Sequence, residues 1–262
     1  MGKRTDIDGA TGVVEIVRPD GRGPLVLVCE HASAAIPERH GDLGLSTADR
    51  FSHAAWDPGA ADLARHLSGV LDAPLVLATV SRLVHDLNRP AGSVEAVPSL
   101  VERIAVPGND GLDAAAREAR AAEVYHPFHA ALARVLDAAG PGTALVTVHS
   151  FTPRWHGVPR TTEIGVLHDA DPALAAAMMA AAPTGADAPK VDLNAPYSAA
   201  DGVTHLPSVQ GTARGLPTVM LEVRSDLIAD AAGVTRIGGA LAAMLDPALA
   251  GRPVFDDRRQ RA

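Results

Sequence analysis

Short apolar runs alternate with helical patterns along most of the chain. Six runs rich in Val, Leu and Ile are bounded by Gly, Pro or polar residues and predict β-strands at 13–17, 24–29, 74–80, 143–148, 163–168 and 217–223. Apolar residues recur at helical spacing over 58–71, 113–125, 127–139, 171–182 and 231–246. Several strand runs are apolar on both faces, which is typical of a sheet covered by helices on both sides.

Proline and aspartate mark the predicted element boundaries. Asp57 before Pro58 and Asp171 before Pro172 have the pattern of a helix N-cap followed by proline at the first helical position. Pro127 falls inside an otherwise continuous helical pattern, so we expect a kink or break near His126. The stretch 91–111 is rich in Gly, Pro and Asn and predicts a long loop, a kind of segment that is often functional.

Length and composition predict one domain with an aliphatic core. The 262 residues are 47% hydrophobic but only 3% aromatic, so Ala, Val and Leu must fill the interior. No change in composition along the chain marks a boundary between domains. We therefore expect a single domain over residues 1–250, followed by a polar tail at 251–262.

Charge, hydropathy and cysteine content argue against a nucleic-acid or membrane partner and indicate a reducing compartment. The formal net charge is −8 and no basic patch tracks along the chain, which argues against a nucleic-acid surface. No segment has the long uncharged run of a membrane span, and the N-terminus lacks the apolar core of a signal peptide. The single cysteine, Cys29, fits a reducing compartment. We expect a cytoplasmic protein, and the sequence does not indicate its oligomeric state.

Polar residues collect where the predicted strands end. Ligands of open α/β sheets bind at the carboxyl ends of strands, so side chains at these positions are candidates for chemistry. Three strand ends and one strand interior carry such groups: Glu30 with His31, Ser81 with Arg82 and the segment 85–89 (HDLNR), His149 with Ser150, and Glu222 with Arg224.

Each of these groups also has a structural interpretation. A histidine at a strand end is often only a hydrogen-bonded rim residue. A buried carboxylate such as Glu222 must be paired or bind a metal, and Arg224 on the same face of the strand is one available partner. Asp57 fits a helix N-cap as well as it fits a ligand. Asn88 and Arg89 fit a turn, although arginine is also the side chain that grips a carboxylate with two hydrogen bonds.

Seven segments in order along the chain match one known family. They are CEHASAAIP (29–37), WDPGA (56–60), SRLVHDLNRP (81–90), YHPFH (125–129), VHSFTP (148–153), NAPYSAADGVTH (194–205) and RGLPTVMLEVRSDLI (214–228). On these segments the chain resembles the N-formylglutamate amidohydrolase family. The resemblance implies a fold similar to the zinc carboxypeptidases and aspartoacylases: a three-layer α/β/α arrangement with a central mixed, mostly parallel sheet.

The resemblance also implies a hydrolase with one zinc ion, or another divalent transition metal, at the strand ends. His31 and His149 would be ligands. Ala34 stands where aspartoacylase relatives have their second ligand, so Asp57 is the predicted carboxylate ligand, with Glu30 as the alternative. Glu222 would be the general base.

The remaining predicted roles concern an acidic small-molecule substrate. Arg82 would stabilise the oxyanion or hold a substrate carboxylate, and Asn88, Arg89, Arg224 and Gln210 would bind the substrate. Gln210 stands where similar sequences often have histidine. The products would be formate and glutamate, and the family name implies a place in histidine breakdown. Two alternatives stay open: a hydrolase for another N-acyl amino acid, and a non-catalytic relative that binds an acidic metabolite.

Overall fold

The computed structural model describes residues 12–250, in which a seven-stranded sheet is the central element. The strands, including those of two small hairpins, are β1 Val14–Val17, β2 Leu25–Cys29, β3 Leu75–Ala78, β4 Leu100–Val101, β5 Ile104–Ala105, β6 Ala144–Phe151, β7 Arg154–Trp155, β8 Val158–Pro159, β9 Ile164–Leu167, β10 Val191–Leu193 and β11 Thr218–Arg224. Strands β4 and β5 form one hairpin, and β7 and β8 form the other.

The large sheet is mixed and mostly parallel. Its strand order is β1-β3-β2-β6-β11-β9-β10. The four neighbours β3, β2, β6 and β11 all run parallel, whereas β1 and β9 pair antiparallel to β3 and β11. The carboxyl ends of the central strands therefore lie at one edge of the sheet, where the sequence predicts the site.

Helices cover both faces of this sheet. The α-helices are α1 Thr47–Arg50, α2 Ala60–Val70, α3 Ala114–Arg120, α4 His126–Ala139, α5 Ala173–Ala180 and α6 Ala231–Leu249. Helices α2, α5 and α6 contribute buried side chains to one hydrophobic cluster, and α4 contributes to the other. Successive β2 residues divide between the two clusters, with Leu25 and Leu27 in the first and Val26 and Val28 in the second. This alternation confirms the predicted three-layer α/β/α fold.

All six predicted strands are present in the sheet, with ends shifted by a few residues. The prediction missed β10 and the two hairpins, whose runs are too short to give a periodic signal. Pro127 does coincide with a break: a π-helical turn at Ala121–Tyr125 separates α3 from α4. The predicted loop 91–111 contains the first hairpin and two short 3₁₀ turns.

The predicted N-cap at Asp57 is wrong. Helix α2 begins at Ala60, and its N-cap is Gly59 in the left-handed conformation with φ +81°. A side chain at this position would lie 2.5 Å from the carbonyl oxygen of Ile228, so glycine lets two segments approach closely. The carboxylate of Asp57 is consequently free to face the strand ends.

No helix within residues 12–250 combines the length and the apolar character that crossing a bilayer requires. The predicted tail at 251–262 lies outside the described residues, as does most of the N-terminal segment in which a signal peptide was excluded.

Candidate active site

Neighbouring strands place the candidate residues side by side. Glu30 and His31 directly follow β2, His149 lies in β6, and Glu222 lies in β11. Strands β6 and β11 pair so that His149 and Glu222 stand opposite each other. All four side chains are buried.

His31, Asp57 and His149 form a cluster with three converging donor atoms. Each offers one ligand atom, and these atoms all lie within 4.8 Å of one another. Asp57 Oδ2 lies 2.9 Å from His149 Nδ1 and 3.5 Å from His31 Nδ1. The backbone fixes this geometry, because the Asp57 N–H donates to the His31 carbonyl and the Ser150 N–H donates to Asp57 Oδ2.

A second carboxylate faces the far nitrogen of each imidazole. His31 Nε2 lies 2.8 Å from Asp86 Oδ1, and His149 Nε2 lies 3.1 Å from Glu30 Oε1. Such carboxylate–histidine pairs fix the ring orientation and raise the basicity of the nitrogen that faces a metal. Glu30, the alternative ligand in the sequence prediction, therefore lies on the side of the His149 ring away from Asp57, within ion-pair distance of Nε2 but without a hydrogen bond to it among the described residues.

The chemistry of this donor set fits a divalent transition metal. His31 Nδ1 is buried and has no hydrogen-bond partner within residues 12–250, although it faces the other two donors. Burial opposes ionisation of Asp57, but the His31 and His149 rings hold the pKa of its carboxyl group well below the ordinary value. Two imidazole nitrogens and one carboxylate oxygen match the protein ligands of mononuclear catalytic zinc sites.

Glu222 has the environment of a proton carrier. Its Oε2 is buried without a hydrogen-bond partner among the described residues, and the side chain lines the cavity. Burial raises the pKa of Glu222 to about 7, so near neutral pH the carboxyl group can both accept and release a proton. The alternative ion pair with Arg224 is absent from the described residues, because Arg224 pairs with Asp226 and Glu163.

Arg82 connects the two aspartates of the site. Its guanidinium lies 2.7 Å from Asp86 Oδ2 and 3.5 Å from Asp57 Oδ1. These two carboxylates raise the pKa of Arg82 despite its burial, so it remains a fixed positive charge. Because Arg82 also lines the cavity, it supports the site and presents its charge to a bound molecule.

One cavity of about 550 Å³ contains the cluster, Glu222 and Arg82. The two small hairpins flank it, with Leu100 and Val101 from the first and Trp155 and His156 from the second. The cavity falls in the usual size range for small-molecule sites. The arrangement can bind a cation, hold a small molecule beside it, and transfer a proton.

Most of the chain matches a known protein family. Residues 23–229 match the family model described as N-formylglutamate amidohydrolase. The chain belongs to the N-formylglutamate amidohydrolase family. This assignment makes it a relative of enzymes that hydrolyse amide bonds.

Two solved structures resemble the family member described here. A gene product of Agrobacterium tumefaciens is 45% identical, with a TM-score of 0.87 over 92% of this chain and 96% of that chain. N-formylglutamate amidohydrolase from Ralstonia eutropha JMP134 is 17% identical, with a TM-score of 0.65 over 91% of this chain and 97% of that chain, a likeness of fold. No curated protein sequence matches.

The structure brings part of the predicted substrate site to the cavity. Asn88 and Arg89 line it. The Asn88 amide, however, donates to the Val203 carbonyl and accepts from the Leu206 N–H, so it holds that segment in place. Arg89 Nη1 donates to the Asn88 and Gly202 carbonyls, and Arg89 Nε lies 3.6 Å from Glu95.

The structure does not bring Gln210 or Arg224 to the cavity wall, and both side chains contact other residues instead. Gln210 is buried against α4, where its Nε2 lies 3.0 Å from His129 Nδ1. The Arg224 guanidinium donates hydrogen bonds to the carboxylates of Asp226 and Glu163 and to the Arg160 carbonyl. The strand register places Arg224 near the site, but acidic neighbours in adjacent segments draw its long side chain aside.

Several other residues that line the cavity were not predicted from the sequence. Asp86 lies within the segment HDLNR, but nothing in the sequence indicates that it faces His31. Phe151, Trp155 and Tyr197 also line the cavity, and Tyr197 lies in one of the family segments. Phe151 ends β6, Trp155 lies in the two-residue strand β7 and Tyr197 lies in a loop, and none of these places gives a signal that separates a cavity wall from packing.

Proposed function

We propose that this protein is a zinc-dependent amidohydrolase that hydrolyses N-formyl-L-glutamate to formate and L-glutamate. A similar N-acyl amino acid would give the corresponding carboxylic acid and amino acid. One observation carries the proposal: the buried donor cluster of His31, Asp57 and His149 stands beside Glu222 in a cavity of about 550 Å³. Membership of the N-formylglutamate amidohydrolase family supports the reaction class and suggests the substrate.

The metal and the protein groups have separate tasks. A zinc ion held by His31, Asp57 and His149 would supply Lewis acidity, which polarises a carbonyl group and lowers the pKa of water. The hydrogen bond between Asp86 and His31 Nε2 keeps the His31 ring turned so that its Nδ1 atom faces this position, and the charge of Glu30 lies beside His149 Nε2.

Glu222 moves the proton in this proposal. A pKa near 7 lets its carboxylate take a proton from the attacking water and return it to the departing amine. Its buried position keeps competing hydrogen-bond partners away from Oε2. The Arg82 guanidinium, fixed by Asp57 and Asp86, is placed to stabilise negative charge that develops on the formyl oxygen.

The test is an assay of the purified, zinc-loaded protein against a small panel. We expect N-formyl-L-glutamate to give the highest kcat/KM among N-formyl-L-glutamate, N-acetyl-L-glutamate, N-formyl-L-methionine and N-formyl-L-aspartate, measured by release of the free amine. Removal of the metal by a chelator should abolish turnover, and added zinc should restore it. A higher kcat/KM for N-acetyl-L-glutamate would show that the natural substrate has a longer acyl group. Binding of the panel compounds without hydrolysis would favour the non-catalytic alternative.

A further inference from the structure

The arginines around the cavity differ in how their charge is compensated. Arg82 pairs with two aspartates, Arg89 lies near Glu95, and Arg224 pairs with Asp226 and Glu163. Arg160 has no carboxylate within 4 Å among residues 12–250. It donates one long hydrogen bond of 3.4 Å to the Thr152 carbonyl.

Three aromatic rings surround the Arg160 guanidinium. Its Cζ atom lies 5.3 Å from the ring centroid of Phe151, 4.9 Å from that of Trp155 and 5.0 Å from that of Tyr197. Contacts of this kind favour the cation electrostatically and use the ring faces. Arg160 also hydrogen-bonds to the Tyr197 side chain, but a guanidinium has five N–H donors, so some remain for another partner.

Arg160 does not itself line the cavity, but the backbone places it against aromatic residues that do. In the hairpin of β7 and β8, His156 and Gly157 have φ of +48° and +84°, a tight reversal that suits glycine at the second position. The chain therefore returns to the end of β6, where the Arg160 N–H donates to the Pro153 carbonyl at 2.9 Å. Arg224 Nη1 holds the Arg160 carbonyl from the other side at 3.2 Å.

The aromatic rings connect Arg160 with the reacting groups. Phe151, Trp155 and Tyr197 all line the cavity that contains Glu222 and the donor cluster. Burial and the charge of Glu222 raise the pKa of Tyr197, whereas the charge and the hydrogen bond of Arg160 oppose this rise, so the phenol lies between the two groups electrostatically. A molecule whose amide bond lies beside Glu222 can thus extend towards these rings.

We propose that Arg160 binds a carboxylate of the substrate, with Phe151, Trp155 and Tyr197 as the platform that holds its guanidinium. The inference rests on the proposed function, since it names the residue by which that hydrolase recognises an acidic substrate. It replaces Arg224 in this role. Arg224 instead acts as a positioning residue through its bond to the Arg160 backbone.

The test compares Arg160→Met and Arg160→Lys with wild type on N-formyl-L-glutamate and its two monoamides, N-formyl-L-glutamine and N-formyl-L-isoglutamine. A charge-assisted pair predicts that Arg160→Met raises KM for N-formyl-L-glutamate about 10- to 100-fold and changes kcat less than about threefold. One of the two monoamides lacks the carboxylate that Arg160 would bind. For that monoamide, KM should already be high in wild type and should not change in Arg160→Met. Arg160→Lys should restore part of the affinity.

Arg154→Met is the matched control, because Arg154 lies in the hairpin that precedes Arg160 and, among residues 12–250, its side chain hydrogen-bonds only to the Gly157 carbonyl. It should leave KM unchanged. An equal rise in KM for the diacid and both monoamides in Arg160→Met would assign Arg160 a purely structural role and overturn the proposal, as would an unchanged KM.

A binding measurement separates this inference from the reaction itself. Calorimetric titration of wild type with L-glutamate should show binding that Arg160→Met weakens at least about tenfold and Arg154→Met preserves. This result would support the Arg160 site even if wild type hydrolysed none of the N-formyl compounds, an outcome that would refute only the proposed reaction. Failure of wild type to bind either L-glutamate or N-formyl-L-glutamate would overturn the Arg160 proposal.

Discussion

Replacement of Glu222 by Gln is expected to lower kcat for N-formyl-L-glutamate by about 10²- to 10⁴-fold, the usual contribution of a general acid–base group. The amide keeps the size of the side chain but cannot accept the proton from water. Because Glu222 is not one of the three converging donors, the variant should bind as much zinc as wild type. Steady-state kinetics and metal analysis of the same preparation measure both quantities.

Glu15→Gln provides a control for the loss of a glutamate elsewhere in the sheet. Glu15 lies in the edge strand β1, where it pairs with Arg65 at the surface. This variant should retain full turnover. Undiminished hydrolysis by Glu222→Gln would remove Glu222 from the mechanism.

Replacement of His31 or His149 by Ala is expected to reduce bound zinc from about one ion per chain to background. Each change removes one of three converging ligands and leaves a buried carboxylate, Asp86 or Glu30, without its imidazole partner. Zinc should also cease to stabilise the fold. In wild type, zinc at about 100 times its Kd adds about 2.7 kcal/mol to the free energy of unfolding, or roughly 5–11 °C in Tm.

His53→Ala is the control for this pair of variants. His53 lines the same cavity but pairs with Glu102 near the surface, away from the donor cluster. It should keep both the zinc content and the zinc-induced rise in Tm. Full metal occupancy in both His31→Ala and His149→Ala would refute the ligand assignment.

The sequence predicted the layers of the fold and the convergence of the donor atoms. Apolar runs with turn residues at their ends are sufficient to locate strands, and parallel strands end at one edge of a sheet. His31 and His149 therefore had to lie near each other once β2 and β6 were neighbours. Asp57 was predicted as a ligand from the family resemblance and lies within the cluster, although its predicted helix cap was wrong.

The directions of the long arginine side chains could not be predicted from the sequence. Arg224 occupies the strand face predicted for it, yet Asp226 and Glu163 direct its guanidinium away from the cavity. Arg160 directly follows a hairpin of two-residue strands, which gives no periodic pattern, and its aromatic neighbours are the nearby Phe151 and Trp155 and the distant Tyr197. Whether an arginine is paired with a carboxylate depends on where its long side chain points in the folded chain, and neighbours near in sequence as well as distant ones decide that.

The proposed function requires one metal ion between His31, Asp57 and His149. Anomalous diffraction at the zinc absorption edge, from crystals of the zinc-loaded protein, locates that ion. We expect a single strong peak about 2.0–2.2 Å from the Nδ1 atoms of both histidines and from an Asp57 carboxylate oxygen. A peak bound through Nε2 of either ring, a peak elsewhere in the molecule, or no peak at this cluster would contradict the proposal.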